Sequence, residues 1–234
     1  CLTVSLAENI IGYTIDESPC AMMYATCDEK LAKSRMTLHI DRMIDDSGLR
    51  EKISSQSKSL KNKKATGDTQ LLKEFPGGFL IAASMGSASR GRSESIKRLI
   101  FDEVDAAKET LGKEGDPIKI FKQRTAAYES TRKIYYISTP LVEHSSRIWA
   151  LYLLGDRRRW YVPCIKLGHM QYLEWKNFTY ETEKDKKDHE FLIPGSVGYG
   201  CKKCVAIWRN DDKIYFLGRG EWRYGFQHCS RCSG

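Results

Sequence analysis

Several features of other protein classes are scarce or absent in this chain of 234 residues. It has no run of about 18 apolar residues, so the sequence predicts no membrane-spanning helix. Only six prolines occur and 41% of the residues are hydrophobic, which excludes a disordered or collagen-like chain. The first six residues, Cys1 to Leu6, contain no Met, no basic segment and too short an apolar run for a signal peptide. We therefore expect the chain to begin at a cut end.

Positive charge is in moderate excess, with 38 Lys and Arg against 30 Asp and Glu and a formal net charge of +8. At about 150 residues per domain, the length fits one large domain, alone or with a small module. Basic runs at 58–64, 157–159 and 184–187 can meet DNA phosphates, although such runs are more often solvated faces. No motif reads base edges, so we expect any DNA binding to be independent of sequence.

The eight cysteines fall into two groups. Three of them, Cys1, Cys20 and Cys27, are scattered through the first thirty residues, and we interpret them as small apolar side chains that fill space. The other five are late and clustered: Cys164, Cys201, Cys204, Cys229 and Cys232. A chain of this length needs no disulfide scaffold, so the clustering predicts a metal module in a reducing compartment.

Strand and helix patterns alternate along the first 160 residues. Strands are predicted at 21–25, 78–83, 96–101 and 133–137, helices at 28–44 and from Asp116-Pro117 to about Glu129, and a basic loop at 52–67. This alternation favours an α/β fold with a mainly parallel sheet flanked by helices. From about Asp156 short strands rich in Trp, Tyr and Cys follow. We therefore predict a first domain over residues 1–156 and a small module over residues 157–234.

The strand predicted at 96–101 ends on two adjacent carboxylates, Asp102 and Glu103. Nucleotide hydrolases use such a pair, the first acid to hold Mg²⁺ and the second to polarise the attacking water. The next strand ends in Ser138-Thr139-Pro140, where a hydroxyl pair can sense a neighbouring phosphate. Ordinary loop polarity and a strand-terminating turn remain the alternatives. Because ligands bind at the carboxyl ends of parallel strands, we expect both pairs to lie in one site.

An ordered set of motifs resembles the lambda-type phage terminase large subunit, the DNA-packaging ATPase, over nearly the whole chain. Its members are Ile11-Gly12-Tyr13, Phe75 to Leu80, Arg92-Ser93, Leu99 to Asp105, Gly115-Asp116-Pro117, Ser138-Thr139-Pro140, Arg159 to Cys164, Leu173-Glu174-Trp175, Tyr199 to Cys204 and Gly220-Glu221-Trp222. The ordered set is far more specific than any one motif. The resemblance implies a P-loop NTPase-like fold with a small Cys-bearing, zinc-ribbon-like module.

The same resemblance implies roles for individual residues. Asp102 would be the Walker B magnesium carboxylate and Glu103 the catalytic base, while Ser138 and Thr139 would couple hydrolysis to movement. Arg92 is a candidate for phosphate contact, with a solvated basic loop as the alternative. The implied cofactors are ATP and Mg²⁺. The implied partners are double-stranded DNA, the small terminase subunit and the portal protein, around a homo-oligomeric motor in the host cytoplasm.

The chain departs from the family pattern at both ends. No GxxxxGK[ST] loop occurs, and the nearest match, Leu111-Gly112-Lys113-Glu114, lacks the hydroxyl and the preceding strand. Without backbone amides and a lysine to cradle phosphates, we expect weak or absent ATP hydrolysis. The family's nuclease domain has no room after Gly234. We therefore expect an ATPase region truncated at both ends.

The cysteine module also departs from its pattern, because a zinc ribbon uses two CxxC pairs. Cys201 and Cys204 form one pair, whereas the pair beginning at Cys164 has Leu167 at its second position, which cannot bind metal. Three alternatives stay open. Zinc binds Cys201, Cys204, Cys229 and Cys232; or it binds Cys164, Cys201, Cys204 and a fourth ligand such as His169; or the ribbon is degenerate and binds no metal.

Three functions are compatible with these residues. The leading hypothesis is the ATPase region of a phage or prophage terminase large subunit. The second is another P-loop motor, such as a helicase, with a similar acidic pair and Ser-Thr pair. The third is a non-enzymatic nucleic-acid-binding protein in which the zinc ribbon is the working part.

Overall fold

The computed structural model describes residues 2–57, 67–87, 94–142, 145–185 and 187–224. The chain forms two compact units, the first ending at Leu151 and the second beginning at Tyr152. The division into domains at residue 157 stays a prediction. In the described part of the chain, no helix combines the length and the apolar character needed to cross a membrane.

A five-stranded sheet forms the centre of the first unit, in the order β2-β3-β1-β4-β5. Its strands are β1 (Ala21–Thr26), β2 (Leu72–Phe75), β3 (Gly78–Ser84), β4 (Arg98–Asp102) and β5 (Lys133–Ile137). Strand β1 pairs in parallel with β3 and β4, and β4 pairs in parallel with β5. Only β2 runs antiparallel, to β3. The predicted α/β fold with a mainly parallel sheet is confirmed.

Helices cover both faces of this sheet. They are α1 (Leu2–Asp16), α2 (Glu29–Arg35), α3 (Asp41–Asp46), α4 (Arg50–Ser57), α5 (Pro117–Gln123) and α6 (Arg147–Leu154), and a π-helix (Met36–Ile40) joins α2 to α3. Alternate residues of a strand point to opposite faces, so β1 supplies two cores. Met22 and Tyr24 pack with α1 to α4, whereas Met23 and Ala25 pack with Phe121 of α5.

The helix predicted over 28–44 forms, with an interruption that the sequence did not indicate. Asp28 caps it, accepting a hydrogen bond at 2.7 Å from the backbone N–H of Leu31. The apolar stripe is buried, and it consists of Ala32, Met36, Ile40 and Ile44. The π-helix lies in the middle of this stripe, and the N–H of Asp41 donates to the carbonyl of Met36, five residues back.

Two predicted boundaries were wrong. The basic loop predicted over 52–67 begins as helix, because α4 continues to Ser57 and buries Ile53; residues 58–66 lie outside the described part. The helix capped by Asp116 ends at Gln123 rather than near Glu129. At this point the N–H groups of Arg124 and Thr125 donate to carbonyls three residues back instead of four, which ends the α-helix. The buried Thr125 hydroxyl also donates to the carbonyl of Lys122, at 2.8 Å.

A two-residue turn joins β2 to β3 at Pro76-Gly77. Gly77 has φ +84°, the left-handed value that the third position of a type II turn requires, and Pro76 precedes it as such turns favour. The turn geometry therefore explains the Pro-Gly pair in the motif Phe75 to Leu80.

The second unit consists of short antiparallel strands. One three-stranded sheet has the order β13-β6-β7 and another the order β12-β11-β8, with β9 and β10 as a separate pair. The elements are β6 (Arg159–Pro163), β7 (Met170–Tyr172), β8 (Phe178–Thr179), β9 (Thr182–Lys184), β10 (Glu190–Leu192), β11 (Gly198–Gly200), β12 (Ile207–Trp208), α7 (Lys213–Leu217) and β13 (Glu221–Arg223). Their shared core contains Val162, Cys164, Tyr199, Trp208 and Phe216.

Candidate functional site

Two acidic residues meet at the carboxyl end of β4, in the middle of the parallel sheet. Asp102 is the last residue of the strand and only 2% exposed. Glu103 follows with φ 57° and ψ 51°, a left-handed conformation that is uncommon for a residue other than glycine. Its N–H donates to the carbonyl of Ile137 on β5 at 2.8 Å, so the strand pairing continues up to the turn. The chain then leaves the sheet with the Glu103 carboxylate still partly exposed.

Tyr24 of the neighbouring strand β1 holds the first carboxylate. Its hydroxyl donates a buried hydrogen bond of 2.5 Å to Oδ2 of Asp102. Burial raises the pKa of the Tyr24 hydroxyl, and the negative charge of Asp102 raises it further. Tyr24 therefore stays protonated and remains a donor to Asp102 at every ordinary pH.

Arg35, the last residue of α2, contacts both acids. Its Nε lies 3.3 Å from Oδ2 of Asp102, and its Nη2 lies 3.8 Å from Oε1 of Glu103. The buried Nε makes no hydrogen bond to a described residue, so its attraction to Asp102 is electrostatic rather than a well-aligned hydrogen bond. One guanidinium thus offsets the charge of two neighbouring carboxylates. Nothing in the local sequence around Arg35 indicates this role.

A third acid, Asp105, ties this edge to the loop after β5. Its N–H donates to Oγ of Ser138 at 3.2 Å. Its carboxylate accepts from the N–H of Leu141 at 3.1 Å and from the N–H of Ile148, in the first turn of α6, at 2.8 Å. Burial works to raise the pKa of Asp105, but these backbone donors and the Ser146 hydroxyl outweigh it and hold the pKa below its ordinary value.

The predicted site residues are therefore distributed unevenly. Asp102, Glu103 and Ser138 lie together at the carboxyl end of the sheet. Thr139 is exposed and, among the described residues, its side chain makes no hydrogen bond. Arg92 lies outside the described part of the chain. Asp105 belongs to the motif Leu99 to Asp105, and its position three residues after Asp102 is the one signal that the sequence offers for it.

Three cysteines converge in the second unit. The Sγ atoms of Cys164, Cys201 and Cys204 lie within 4.8 Å of one another, and those of Cys164 and Cys204 are 3.7 Å apart. Cys164 follows β6, whereas Cys201 and Cys204 occupy the turn between β11 and β12. Tetrahedral zinc with Zn–S bonds of about 2.3 Å requires sulfur atoms about 3.8 Å apart, so this spacing fits a zinc site.

Donors around the cluster favour a thiolate. Burial works to raise the pKa of the Cys201 thiol, but the N–H of Lys203 and the Gln171 side chain outweigh it and lower that pKa to about 7. The Gln171 amide nitrogen lies 3.2 Å from Sγ of Cys201. In the described part, no fourth ligand joins the three sulfurs: His169 is not in the group, and Cys229 and Cys232 lie outside that part.

A family model described as "Phage terminase large subunit gpA, ATPase domain" matches residues 2–222. A curated relative, the terminase large subunit of Enterobacteria phage P21, is 25% identical over 178 residues, which cover 68% of this chain and 28% of that protein. The chain thus spans little more than a quarter of the length of this relative.

Solved structures of large terminases align with part of this chain. The large terminase ATPase domain of Thermus phage P74-26 has a TM-score of 0.43 at 10% identity, with 65% of this chain and 60% of that chain covered. The HK97 bacteriophage large terminase has a TM-score of 0.49 at 14% identity, with 66% of this chain and 30% of that chain covered. With the family model matching 221 consecutive residues, from 2 to 222, the chain belongs to the family of phage terminase large subunit gpA ATPase domains.

Proposed function

We propose that this chain is the ATP-hydrolysing part of a terminase motor that packages double-stranded DNA into procapsids. Membership of the gpA ATPase family supports this proposal. The observation that carries it is the acidic pair Asp102 and Glu103, set side by side at the carboxyl end of a central parallel strand and bridged by Arg35. That edge is where open α/β sheets bind their ligands.

The residues present fit a magnesium nucleotide. Carboxylate oxygens are the ligands that Mg²⁺ prefers, and Oδ1 of Asp102 accepts no hydrogen bond from a described residue, while Oδ2 is held by Tyr24. When bound, Mg²⁺ would neutralise charge on the phosphate oxygens. Asp102 is the residue that would hold it. Arg92, outside the described part, is the residue proposed to contact phosphate.

Glu103 is proposed as the base that orients the attacking water. Its carboxylate is next to Asp102 but more exposed, so water can reach it, whereas the Asp102 carboxylate is almost fully enclosed. Ser138 and Thr139 are proposed to couple hydrolysis to movement. Ser138 meets the turn that carries Glu103 through its hydrogen bond from Asp105. The proposed partners are double-stranded DNA, the small terminase subunit and the portal protein, around a homo-oligomeric motor.

ATP hydrolysis tests the proposed base directly. The assay uses a protein in which a phosphate-binding loop precedes this chain, since we expect weak or absent hydrolysis without one. In that protein Glu103→Gln should lower kcat by at least about 100-fold, because general base catalysis of this kind contributes roughly 10²–10⁴. Glu109→Gln, which changes an exposed acid of the following loop, should leave kcat unchanged. Binding of a non-hydrolysable ATP analogue is measured in parallel, and Asp102→Asn should remove its dependence on Mg²⁺. An unchanged kcat in Glu103→Gln would contradict the assignment.

The cysteine cluster is proposed to be a zinc-ribbon-like structural site. Cys164, Cys201 and Cys204 supply three ligands with spacing that suits zinc, and the Gln171 amide donates to the sulfur of Cys201, which orients that ligand. We expect one zinc per chain by elemental analysis. Cys201→Ser should lose most of that zinc, whereas Cys27→Ser, remote in sequence and not part of the cluster, should retain it. A metal-free wild-type chain would refute this part of the proposal.

A further inference from the structure

One face of the β13-β6-β7 sheet is exposed and carries basic and aromatic side chains. Antiparallel partners lie on the same face of a sheet, and Val162 of β6 is opposite Gln171 of β7, both of them buried. The alternate residues therefore point outward. This outer face, which we call the basic face, carries Arg159 and Tyr161 of β6, Tyr172 of β7, and Glu221 and Arg223 of β13.

Two arginines are placed directly opposite each other on this face. Arg223 of β13 is the register partner of Arg159 of β6. Like charges at directly opposed positions destabilise a sheet, so this pairing works against folding. Arg223 donates to Oε1 of Glu221 at 2.5 Å, but Arg159 has no ion-pair partner among the described residues. The hydroxyls of Tyr152 and Tyr172 contact Arg159 but do not neutralise it, so its positive charge is available to an external anion.

Tyrosine rings hold these cations in place. The guanidinium of Arg159 lies 4.3 Å from the ring centroid of Tyr172, and that of Arg223 lies 5.4 Å from the centroid of Tyr161. Lys202, which also pairs with Glu174, places Nζ 3.6 Å from the Tyr172 centroid. Cation–π contacts restrict long side chains that would otherwise lose more entropy on binding a ligand. Three cations are thus preorganised here, of which Arg223 is paired with Glu221 and Lys202 with Glu174, while Arg159 has no carboxylate partner among the described residues.

On its other side, the same sheet is supported by a tight contact between a glycine and a tryptophan ring. Gly220, which immediately precedes β13, packs against the Trp160 ring so tightly that a Cβ would overlap the indole. Trp160 in turn meets Trp222 edge to face, with ring centroids 5.3 Å apart. The motif Gly220-Glu221-Trp222 therefore fixes the strand that presents Arg223.

We propose that the basic face binds the phosphate backbone of duplex DNA. Fixed cations suit phosphates, and their contacts are independent of base sequence. Single-stranded DNA is a poorer fit, because binding it relies on free aromatic faces for base stacking, whereas the Tyr161 and Tyr172 rings are already covered by cations. The choice of DNA as the polyanion rests on the proposed function, but the basic face does not involve the acidic pair.

Salt-dependent binding tests the proposal. Binding of the full chain to a fluorescent 30-base-pair duplex is measured by anisotropy between about 50 and 200 mM salt, with two unrelated sequences. Each phosphate contact contributes a slope of about −0.9 to log K against log salt. Arg159→Gln and Arg223→Gln should each reduce the slope by about 0.9 and the double variant by about 1.8. Arg159→Lys should keep the wild-type slope.

Arg219→Gln is the matched control, since Arg219 is also stacked on a tyrosine, Tyr215, at 4.2 Å, and carries the same charge outside the basic face. Its slope should equal that of the wild type. Thermal unfolding of each variant checks that it is folded, so that a change of slope reports a lost phosphate contact. An unchanged slope in Arg159→Gln, or tighter binding of a single strand of equal length, would overturn the proposal. Glu103→Gln should bind duplex as the wild type does, so failure of the proposed ATPase leaves this result intact.

Discussion

The hydroxyl of Tyr24 donates a 2.5 Å hydrogen bond to Oδ2 of Asp102, across two neighbouring parallel strands and between residues 78 positions apart in the chain. A carboxylate that is almost fully buried needs such partners, because desolvation disfavours its charge. Tyr24 supplies a neutral donor and Arg35 supplies the compensating charge. The two strands and α2 therefore jointly fix the position of this acid.

Tyr24→Phe removes the donor and keeps the ring. We expect a loss of about 2 kcal/mol of unfolding free energy, as for other hydrogen bonds to charged groups. ATP hydrolysis should fall by about 10-fold, because the carboxylate loses the partner that orients it. Tyr136→Phe on β5, whose ring stacks on Phe101, is the control and should lose less than about 0.5 kcal/mol. Equal losses in both variants would contradict this role for Tyr24.

Arg35→Gln leaves two neighbouring carboxylates without their cation. We expect a cost of about 3 kcal/mol in chemical denaturation, since removal of one partner from a buried ion pair leaves an uncompensated charge. Adding Asp102→Asn should recover part of this loss and give a coupling energy of about 2 kcal/mol in a double-mutant cycle. Arg42→Gln, on the exposed side of α3, should change stability by less than about 0.5 kcal/mol. Additive effects of the two changes would show that Arg35 and Asp102 do not interact.

Glu103 has a left-handed backbone conformation that glycine adopts more easily than glutamate. Its φ of 57° is accessible to glycine without strain but costs other residues about 1 kcal/mol or more. Glu103→Gly should therefore be about 1 kcal/mol more stable than Glu103→Ala in thermal or chemical unfolding. The same two changes at Lys33, an exposed position in α2, should have the opposite order, because glycine disfavours helices. The same order at both positions would argue against strain at Glu103.

Asp105 should make stability depend on acid pH. A carboxyl whose pKa is lower in the folded state contributes stability that is present above its ordinary value of 3.8 and is lost as the pH falls below it. Asp105→Asn should cost about 2 kcal/mol at neutral pH, because an amide cannot accept both backbone hydrogen bonds. The cost should shrink between about pH 5 and pH 3. Glu109→Gln provides the control, and a cost for Asp105→Asn that stays constant with pH would count against the carboxylate contacts.

The acidic pair could be found from the sequence because its signal is local. Leu99, Ile100 and Phe101 form an apolar strand, and the acids follow it directly. Arg35 could not be found in the same way. It lies on an amphipathic helix with several other basic residues, and only the packing of α2 against β1 brings it to the acids.

Helices α1 and α6 and strand β2 were not predicted from the sequence, and α1 and β2 were missed for different physical reasons. The spacing of Ala7, Ile11 and Ile15, which are all buried, was a readable helical signal for α1. Strand β2 gave no such signal, because it contains a lysine. Lys73 is only 3% exposed, and its charge is compensated by Asp41 at 2.9 Å and Asp68 at 2.6 Å. Such compensation depends on distant residues and cannot be read from local hydropathy.

The cysteine cluster could be predicted from the sequence only in part. The spacing of Cys201 and Cys204 indicates a metal-binding turn by itself. Their approach to Cys164 depends on how β6 and β11 pack in the second core, which spacing along the chain does not determine.

The π-helix Met36–Ile40 has a consequence for the alignment of Arg35 with the acids. A π-helical turn accommodates one residue more than an α-helical turn, and each residue of an α-helix adds a rotation of about 100°. Deleting one residue from this segment would convert it to regular α-helix and rotate Arg35 by about 100° relative to the stripe that Ile40 and Ile44 bury. The guanidinium would then point away from Asp102. The extra residue thus sets the direction in which Arg35 points relative to the buried stripe of the helix. We therefore expect a one-residue deletion in Met36–Ile40 to lower stability and activity more than a substitution there does.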